Sequence, residues 1–322
     1  MKLTSEFRNS PKITKIKRFK FRILNGVKTL KPETIVENVA VKLLKLATTE
    51  LPQDVKKALQ KAYRGEDSET GKKQLEAMLT NIELAEKAGT PICQDTGTII
   101  FYVKAGARTK SLDKIEDALR KATKRATEDV PLRPNAIDSF TQKNTGNNTG
   151  RFIPFIHWEI MSGDSIEITA LPKGGGSENA SALCMLEPSE GVKGLKRFVI
   201  DTIIRAGGKP CPPTIVGVGV GGGADIAMKL AKAALLKPIG ELNSDPNIAE
   251  VERELYEAAN MTGIGPMGLG GKFTVLDVKI EWAHRHPASY PVAVVFQCWA
   301  ARRASARIDS DGTVEYLTHK AR

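Results

Sequence analysis

The chain has 322 residues, of which 41% are hydrophobic, 26% charged and 6% aromatic. This length and composition predict a soluble globular protein of one large or two ordinary domains, with a mainly aliphatic core. No apolar run approaches the roughly 18 residues that are needed to span a bilayer, which argues against a membrane protein.

The net charge of +11 suggests a nucleic-acid-binding protein, but the charge is unevenly distributed. Residues 1–22 carry eight Lys and Arg and a single acid, so the rest of the chain is close to balanced. We therefore predict that residues 1–31 form a basic, poorly ordered N-terminal extension, and we do not expect nucleic acid to be a partner. The extension lacks the apolar segment of a secretory signal, and the four cysteines lie far apart, so we expect a reducing, cytoplasmic location.

Periodic apolar patterns predict the fold class. Between about residues 32 and 90, apolar residues recur at three- and four-residue spacing, which indicates a layer of helices. From about residue 91 onward, β-branched and alternating runs predict strands between amphipathic helices, and Ser162–Asp164 predicts a hairpin-like turn between two of these strands. We predict an α+β fold, with an N-terminal helical layer followed by a mixed, largely antiparallel sheet packed with helices, over residues 32–322.

Chemistry-bearing residues occur in three separate stretches. Cys93, Gln94 and Asp95 stand directly before a predicted strand, where a rigid element would hold reactive groups. A long polar passage over residues 132–150 contains Arg133, and such a loop is either functional or disordered. The run Lys173-Gly-Gly-Gly-Ser-Glu-Asn allows backbone N–H groups to approach an oxyanion, although a flexible turn explains it equally well.

Three of the cysteines share a setting at strand boundaries, whereas Cys184 lies in an apolar run and is interpreted as core. Three thiolates suit an iron–sulfur cluster with one iron that has no protein ligand, and a zinc site of three cysteines and a histidine is the alternative. Gly217, Gly219 and Gly222 also match the dinucleotide-binding pattern, but close packing of a strand on a helix explains these glycines equally well.

Several motifs together resemble the class I, iron–sulfur-dependent fumarases and L-tartrate dehydratases, and specifically their α-subunit or N-terminal half. The motifs are Cys93-Gln-Asp-Thr-Gly, Asn144-Thr-Gly-Asn-Asn, Lys173-Gly-Gly-Gly-Ser-Glu-Asn, Cys211-Pro-Pro and the later Cys298. The resemblance runs from about Pro32 to the C-terminus.

The resemblance implies a [4Fe–4S] cluster held by three cysteines, a catalytic acid and four dicarboxylate contacts. The implied ligands are Cys93, Cys211 and Cys298, the acid is Asp95, and the substrate contacts are Gln94, Arg133, Gly176 and His286. It also implies a separate β-subunit that carries the catalytic base, and a higher hetero-oligomer. We expect reversible hydration of fumarate to malate, chosen because it is the central metabolic activity, with conversion of tartrate to oxaloacetate as the alternative.

Overall fold

The computed structural model describes residues 31–130 and 132–319. The basic extension predicted over residues 1–31 lies, except for its last residue, outside the described residues. Within them, no helix is long and apolar enough to cross a membrane.

In the described residues, three helices come first, strands and helices follow in mixed order, and four consecutive strands close the series, which is consistent with the predicted α+β class. The helices are α1 (Pro32–Thr49), α2 (Gln53–Gly65), α3 (Glu69–Ala88), α4 (Ile115–Asp129), α5 (Gly175–Glu178), α6 (Gly191–Ala206), α7 (Ala224–Ala234) and α8 (Pro246–Met261). The strands are β1 (Thr98–Gly106), β2 (Phe155–Met161), β3 (Ile166–Lys173), β4 (Ala182–Leu186), β5 (Thr214–Gly222), β6 (Val275–Arg285), β7 (Tyr290–Gln297), β8 (Ala304–Ile308) and β9 (Val314–Tyr316).

The strands form two sheets. The five-stranded sheet has the order β2-β1-β3-β8-β9, and the four-stranded sheet has the order β4-β7-β5-β6. Among the strand pairs of the described residues, only β1–β2 and β5–β6 are parallel, so the fold is mixed and largely antiparallel, as predicted.

The hairpin predicted around Ser162–Asp164 is wrong. β2 and β3 lie on opposite sides of β1 and pair with it rather than with each other. The turn instead crosses over the end of β1, where the backbone N–H of Gly106 donates to the carbonyl of Ser165 and that of Arg108 donates to Gly163. Sequence alternation indicates which face of a strand is buried, but it does not indicate which strand lies next to it.

The three initial helices are shared between two hydrophobic cores. α1 packs with α4 against the five-stranded sheet, through residues such as Leu43, Leu119 and Phe101. α2 and α3 pack with α7 and the four-stranded sheet, through residues such as Leu59 and Leu75. A third core lies between α6, α8 and the same four-stranded sheet.

The glycines of the dinucleotide-like pattern serve this packing. A Cβ on Gly217 would lie 2.1 Å from the carbonyl oxygen of Ala231, and one on Gly219 would lie 1.9 Å from that of Ala227, both on α7. The strand also pairs antiparallel with β7, whereas a dinucleotide-binding fold is built on a parallel sheet. Close approach of the helix to the strand therefore explains why these positions are glycine.

Candidate active site

Four segments meet where the two sheets join. The loop of residues 91–97 leads into β1, and the turn after β3 lies beside it because Thr98 pairs with Lys173. The segment of residues 298–303 connects β7 of one sheet to β8 of the other. The turn of residues 207–213 enters β5, whose Ile215 pairs with Gln297. The sheet registers thus bring distant parts of the sequence to one place.

Cys93, Cys211 and Cys298 lie on these converging segments and are free thiols. The turns that carry Cys211 and Cys298 are joined directly, since the backbone N–H of Trp299 donates to the carbonyl of Cys211 over 3.1 Å. Cys211 itself adopts a left-handed backbone conformation with φ of 56°. A non-glycine residue in this conformation costs about 1 kcal/mol or more, and such residues cluster at functional sites.

The pKa values of Cys211 and Cys298 reflect burial and the charged groups around them. Burial raises the pKa of Cys211, and the nearby Cys298 and Cys93 thiols raise it further. Burial also raises the pKa of Cys298, whereas the guanidinium of Arg302 lowers it. Cys184 is not part of this group, because it lies within β4 opposite Val292 and packs against the third core.

The three free thiols are the candidate metal ligands of the site. Among residues 31–130 and 132–319, no three His, Cys, Asp or Glu side chains are grouped tightly enough to hold one metal ion. Zinc and iron–sulfur clusters both take cysteine thiolates as ligands, so the iron–sulfur cluster stays a prediction at this point.

Asp95 is held by donors from three directions. Its Oδ1 accepts from the backbone N–H of Gly97 at 3.0 Å and from the side-chain amide of Asn135 at 3.4 Å. Its Oδ2 accepts from the backbone N–H of Gly175 at 2.8 Å. These bonds fix the orientation of the carboxylate next to the cysteine loop, which suits a group that transfers a proton at a defined position.

The glycine run forms a helical turn rather than a nest of alternating backbone conformations. Gly174 is extended, with φ of −67° and ψ of 140°, and the following Gly175–Glu178 is a short helix. The N–H of Gly175 binds the carboxylate of Asp95, so at least one of the anion-binding groups expected here is used by the protein itself. Gly174 is needed for space, because its Cβ would lie 2.9 Å from Nη2 of Arg302 and 3.2 Å from Oδ2 of Asp95.

Three of the predicted substrate contacts lie around this site. Gln94 is exposed beside Cys93, and Gly176 is exposed on the short helix. Arg133 is also exposed, and its carbonyl accepts from the Thr96 hydroxyl at 3.3 Å and from the side chain of Asn148. The polar passage around Arg133 is thus anchored beside the Asp95 loop, with the buried Asn148 as its anchor.

The structure does not bring His286 to this site within one chain. His286 follows the C-terminal end of β6, where Arg285 pairs with Gly222, whereas the cysteines lie at the opposite end of the same sheet. β5 spans this distance with nine residues, which corresponds to roughly 25 Å at about 3.3 Å per residue. His286 is exposed, and its Nδ1 accepts from the backbone N–H of Ala288.

Two buried cations at the site were not predicted from the sequence. Arg302 is 2% exposed and donates from Nη1 to the carbonyl of Asp95. Lys173 is also 2% exposed, donates to the Ser177 hydroxyl at 2.6 Å and forms an ion pair with Glu178 at 3.3 Å. Burial lowers the pKa of Lys173 to about 8, against the opposing effect of Glu178. Lys173 flanks the glycine run and was visible in that motif, but nothing local in the sequence distinguishes Arg302 from Arg303.

Comparison with known proteins places the chain in a family. Residues 37–307 match the family described as "Fumarate hydratase (Fumerase)". A protein of Methanocaldococcus jannaschii named "Putative L(+)-tartrate dehydratase subunit alpha" is 50% identical over 280 residues, which cover 86% of this chain and 98% of that protein. The "L(+)-tartrate dehydratase subunit alpha" of Escherichia coli strain K12 is 39% identical over 275 residues, which cover 85% of this chain and 91% of that protein.

The matched region contains every cysteine, the Asp95 loop and the glycine run, and it includes both sheets except for β9 and the last residue of β8. It therefore covers the whole site described above. The chain belongs to the hydro-lyase family of class I fumarate hydratases and tartrate dehydratases, and corresponds to its α domain.

Proposed function

We propose that this chain is the α-subunit of a [4Fe–4S]-dependent hydro-lyase that acts on a small dicarboxylate. The observation that carries the proposal is the meeting of three free thiols, an oriented carboxylate and a glycine turn at the junction of the two sheets. The family membership supports the reaction class.

Cys93, Cys211 and Cys298 would hold the cluster and leave one iron without a protein ligand. When bound, the cluster supplies a Lewis acid for the hydroxyl and carboxylate of the substrate. Cys184 is not proposed as a ligand. It lies opposite Val292, and Val292 is roughly 20 Å from Cys298 along the chain at about 3.3 Å per residue.

The chain's own residues then bind the substrate and move a proton. Arg133 and Gln94 are exposed donors beside the cysteine loop, suited to substrate carboxylates, and the backbone N–H of Gly176 is a third donor. The Asp95 carboxyl, oriented by Gly97, Gly175 and Asn135, gives a proton to the hydroxyl that leaves as water, and takes it back in the hydration direction. His286 is not part of the proposed site in its own chain, because it lies at the opposite end of the four-stranded sheet from the cysteines.

Within residues 31–130 and 132–319 we assign no base that would take the proton from the carbon next to the one bearing the leaving hydroxyl. The relatives described above are named as alpha subunits, which supports a separate β-subunit that contributes the base and further cations. We therefore propose a hetero-oligomer in which this chain alone turns over poorly.

L-tartrate is the better supported substrate. The expectation of fumarate rested on its central metabolic role, whereas the similar curated proteins are named for tartrate. Fumarate remains the second candidate, because the matching family carries its name. Both reactions remove a hydroxyl β to one carboxylate and a proton from the adjacent carbon, so the same residues serve either.

The decisive experiment is anaerobic reconstitution of the full chain with iron and sulfide, followed by addition of a candidate β-subunit. Tartrate dehydration and fumarate hydration are then measured side by side. We expect activity on tartrate to exceed activity on fumarate. A full cluster without activity on either substrate, with an authentic β-subunit present, would refute the proposed function.

The ligand assignment has its own control. Replacing Cys93, Cys211 or Cys298 singly with Ser is expected to remove cluster iron, because a serine hydroxyl is a poor substitute for a thiolate. Cys184→Ser is expected to retain it. The assignment is wrong if only the Cys184 variant loses its visible absorption.

A further inference from the structure

Arg302 is a buried cation without an anionic partner. Arg302 is 2% exposed, and its guanidinium donates to the carbonyl of Asp95. The backbone carbonyl of Arg302 accepts from the side-chain amide of Gln297. Among residues 31–130 and 132–319 Arg302 forms no ion pair, and its Nε has no hydrogen-bond partner. A guanidinium keeps its charge at any pH that a protein survives.

Arg303, the next residue, differs from Arg302 because its buried charge has a carboxylate partner. Arg303 is 4% exposed, and its Nη2 is paired with the carboxylate of Asp54. A buried charge without a partner is strongly destabilising. The positive charge of Arg302 is therefore available to compensate a group other than a carboxylate of the described residues.

The surroundings of Arg302 indicate which group that is. Its Nη2 lies against Gly174, at 2.9 Å from the position that a Cβ would take, and the carboxylate of Asp95 lies against the same glycine. Cys298 lies four residues before Arg302 in the same segment, which joins β7 to β8. Arg302 thus contacts the acid loop and the glycine turn and belongs to the segment that carries one of the three cysteines.

We propose that Arg302 is a positioning residue, which ties the Cys93–Asp95 loop to the glycine turn and balances the negative charge of the thiolate-bound cluster. This inference rests on the proposed function. It assigns two separable roles, because the planar guanidinium fixes the loop and its charge acts on the cluster. Partners that orient metal ligands typically change metal affinity or activity by roughly 10–100-fold when they are removed.

Two variants separate these roles. Arg302→Met removes both the charge and the hydrogen bonds, whereas Arg302→Lys keeps a charge but loses the planar fork. Arg303→Met is the matched control, because it removes an equally buried guanidinium whose carboxylate partner lies on α2. Each variant is reconstituted anaerobically with iron and sulfide as the full chain together with its β-subunit.

The measurements are iron and sulfide per chain, the midpoint potential of the cluster, kcat and KM, and the thermal unfolding temperature. In Arg302→Met we expect a more negative potential, because loss of a nearby positive charge disfavours the reduced cluster, and a loss of roughly 10–100-fold in cluster retention or kcat. In Arg302→Lys we expect a potential close to that of the wild type but a reduced kcat. In Arg303→Met we expect an unchanged potential even where stability falls.

The inference is overturned if Arg302→Met retains both the wild-type potential and the wild-type kcat. If Arg302→Met does not fold, Arg302→Lys decides, and wild-type kcat in that variant overturns the positioning role. These outcomes differ from failure of the proposed function, in which the wild-type chain itself would hold no cluster or would have no hydro-lyase activity.

Discussion

Gly174→Ala is the substitution for which the structure makes the sharpest prediction. The backbone at Gly174 is extended, with φ of −67°, so alanine introduces no backbone strain. The added Cβ, however, would lie 2.9 Å from Nη2 of Arg302 and 3.2 Å from Oδ2 of Asp95. Ordinary contacts of a Cβ begin at about 3.4 Å, so both side chains would have to move by a few tenths of an ångström.

These two side chains have little freedom to move. Arg302 is buried and bonded to the carbonyl of Asp95, and the carboxylate of Asp95 is held by Gly97 and Gly175. Overpacking of this kind costs about 1–3 kcal/mol, and misplacing a reacting group by about 1 Å costs roughly 100-fold in rate. We therefore expect kcat/KM to fall by about 10–100-fold, together with a decrease of a few degrees in the unfolding temperature.

The assay combines steady-state dehydration kinetics of the reconstituted complex with thermal unfolding of the same samples. Gly175→Ala is the matched control for stability, because its Cβ would meet only Oδ2 of Asp95 at an ordinary 3.9 Å. If Gly174→Ala has wild-type kcat/KM and unfolding temperature, the close arrangement of Arg302, Asp95 and the glycine turn is wrong.

Three further predictions concern the framework. His157 stacks on Tyr102 with ring centroids 4.4 Å apart, and burial, reinforced by nearby lysines, lowers its pKa to about 4. Between about pH 6.5 and pH 4, His157 is therefore protonated in the unfolded chain but neutral in the folded chain. The free energy of unfolding decreases as the pH falls through this range, by at most about 3 kcal/mol. His157→Phe, which retains the stack, should show a smaller loss of unfolding temperature from pH 7 to pH 5 than the wild type; an equal loss in both proteins would contradict the assignment. Glu66 is 4% exposed and accepts hydrogen bonds from the backbone N–H groups of Ser68, Lys272 and Phe273. Glu66→Ala should therefore lower the free energy of unfolding, measured by urea denaturation, by about 3 kcal/mol. A decrease below about 1 kcal/mol would show that these hydrogen bonds contribute little. Gly219→Ala should prevent stable folding, because its Cβ would lie 1.9 Å from a carbonyl oxygen of α7; a folded variant that had instead lost affinity for a dinucleotide would revive the alternative reading of the glycine pattern.

Local sequence features predicted much of the secondary structure. Helix α3 shows why: Ser68 at its start accepts from the backbone N–H of Gly71, Gly89 at its end adopts a left-handed conformation, and the apolar stripe between them is buried. Such signals act over a few residues and can be read without knowledge of the fold. The alternation in β3 likewise indicated a buried face, but the position of β1 between β2 and β3 did not follow from it.

The candidate site also contains residues that the sequence identified and residues that only the tertiary structure brought together. Cys93, Asp95 and the glycine run were recognisable because each motif carries its chemistry in consecutive residues. Tertiary structure decided the rest: the pairing of Ile215 with Gln297 brings the turns of Cys211 and Cys298 together, and the pairing of Gly222 with Arg285 carries His286 to the other end of the same sheet. Arg302 and Arg303 are adjacent and chemically identical in the sequence, and only the packing gives Arg303 a carboxylate partner and places Arg302 against the backbone carbonyl of Asp95. The reason is physical, since burial and charge compensation depend on neighbours that are distant along the chain.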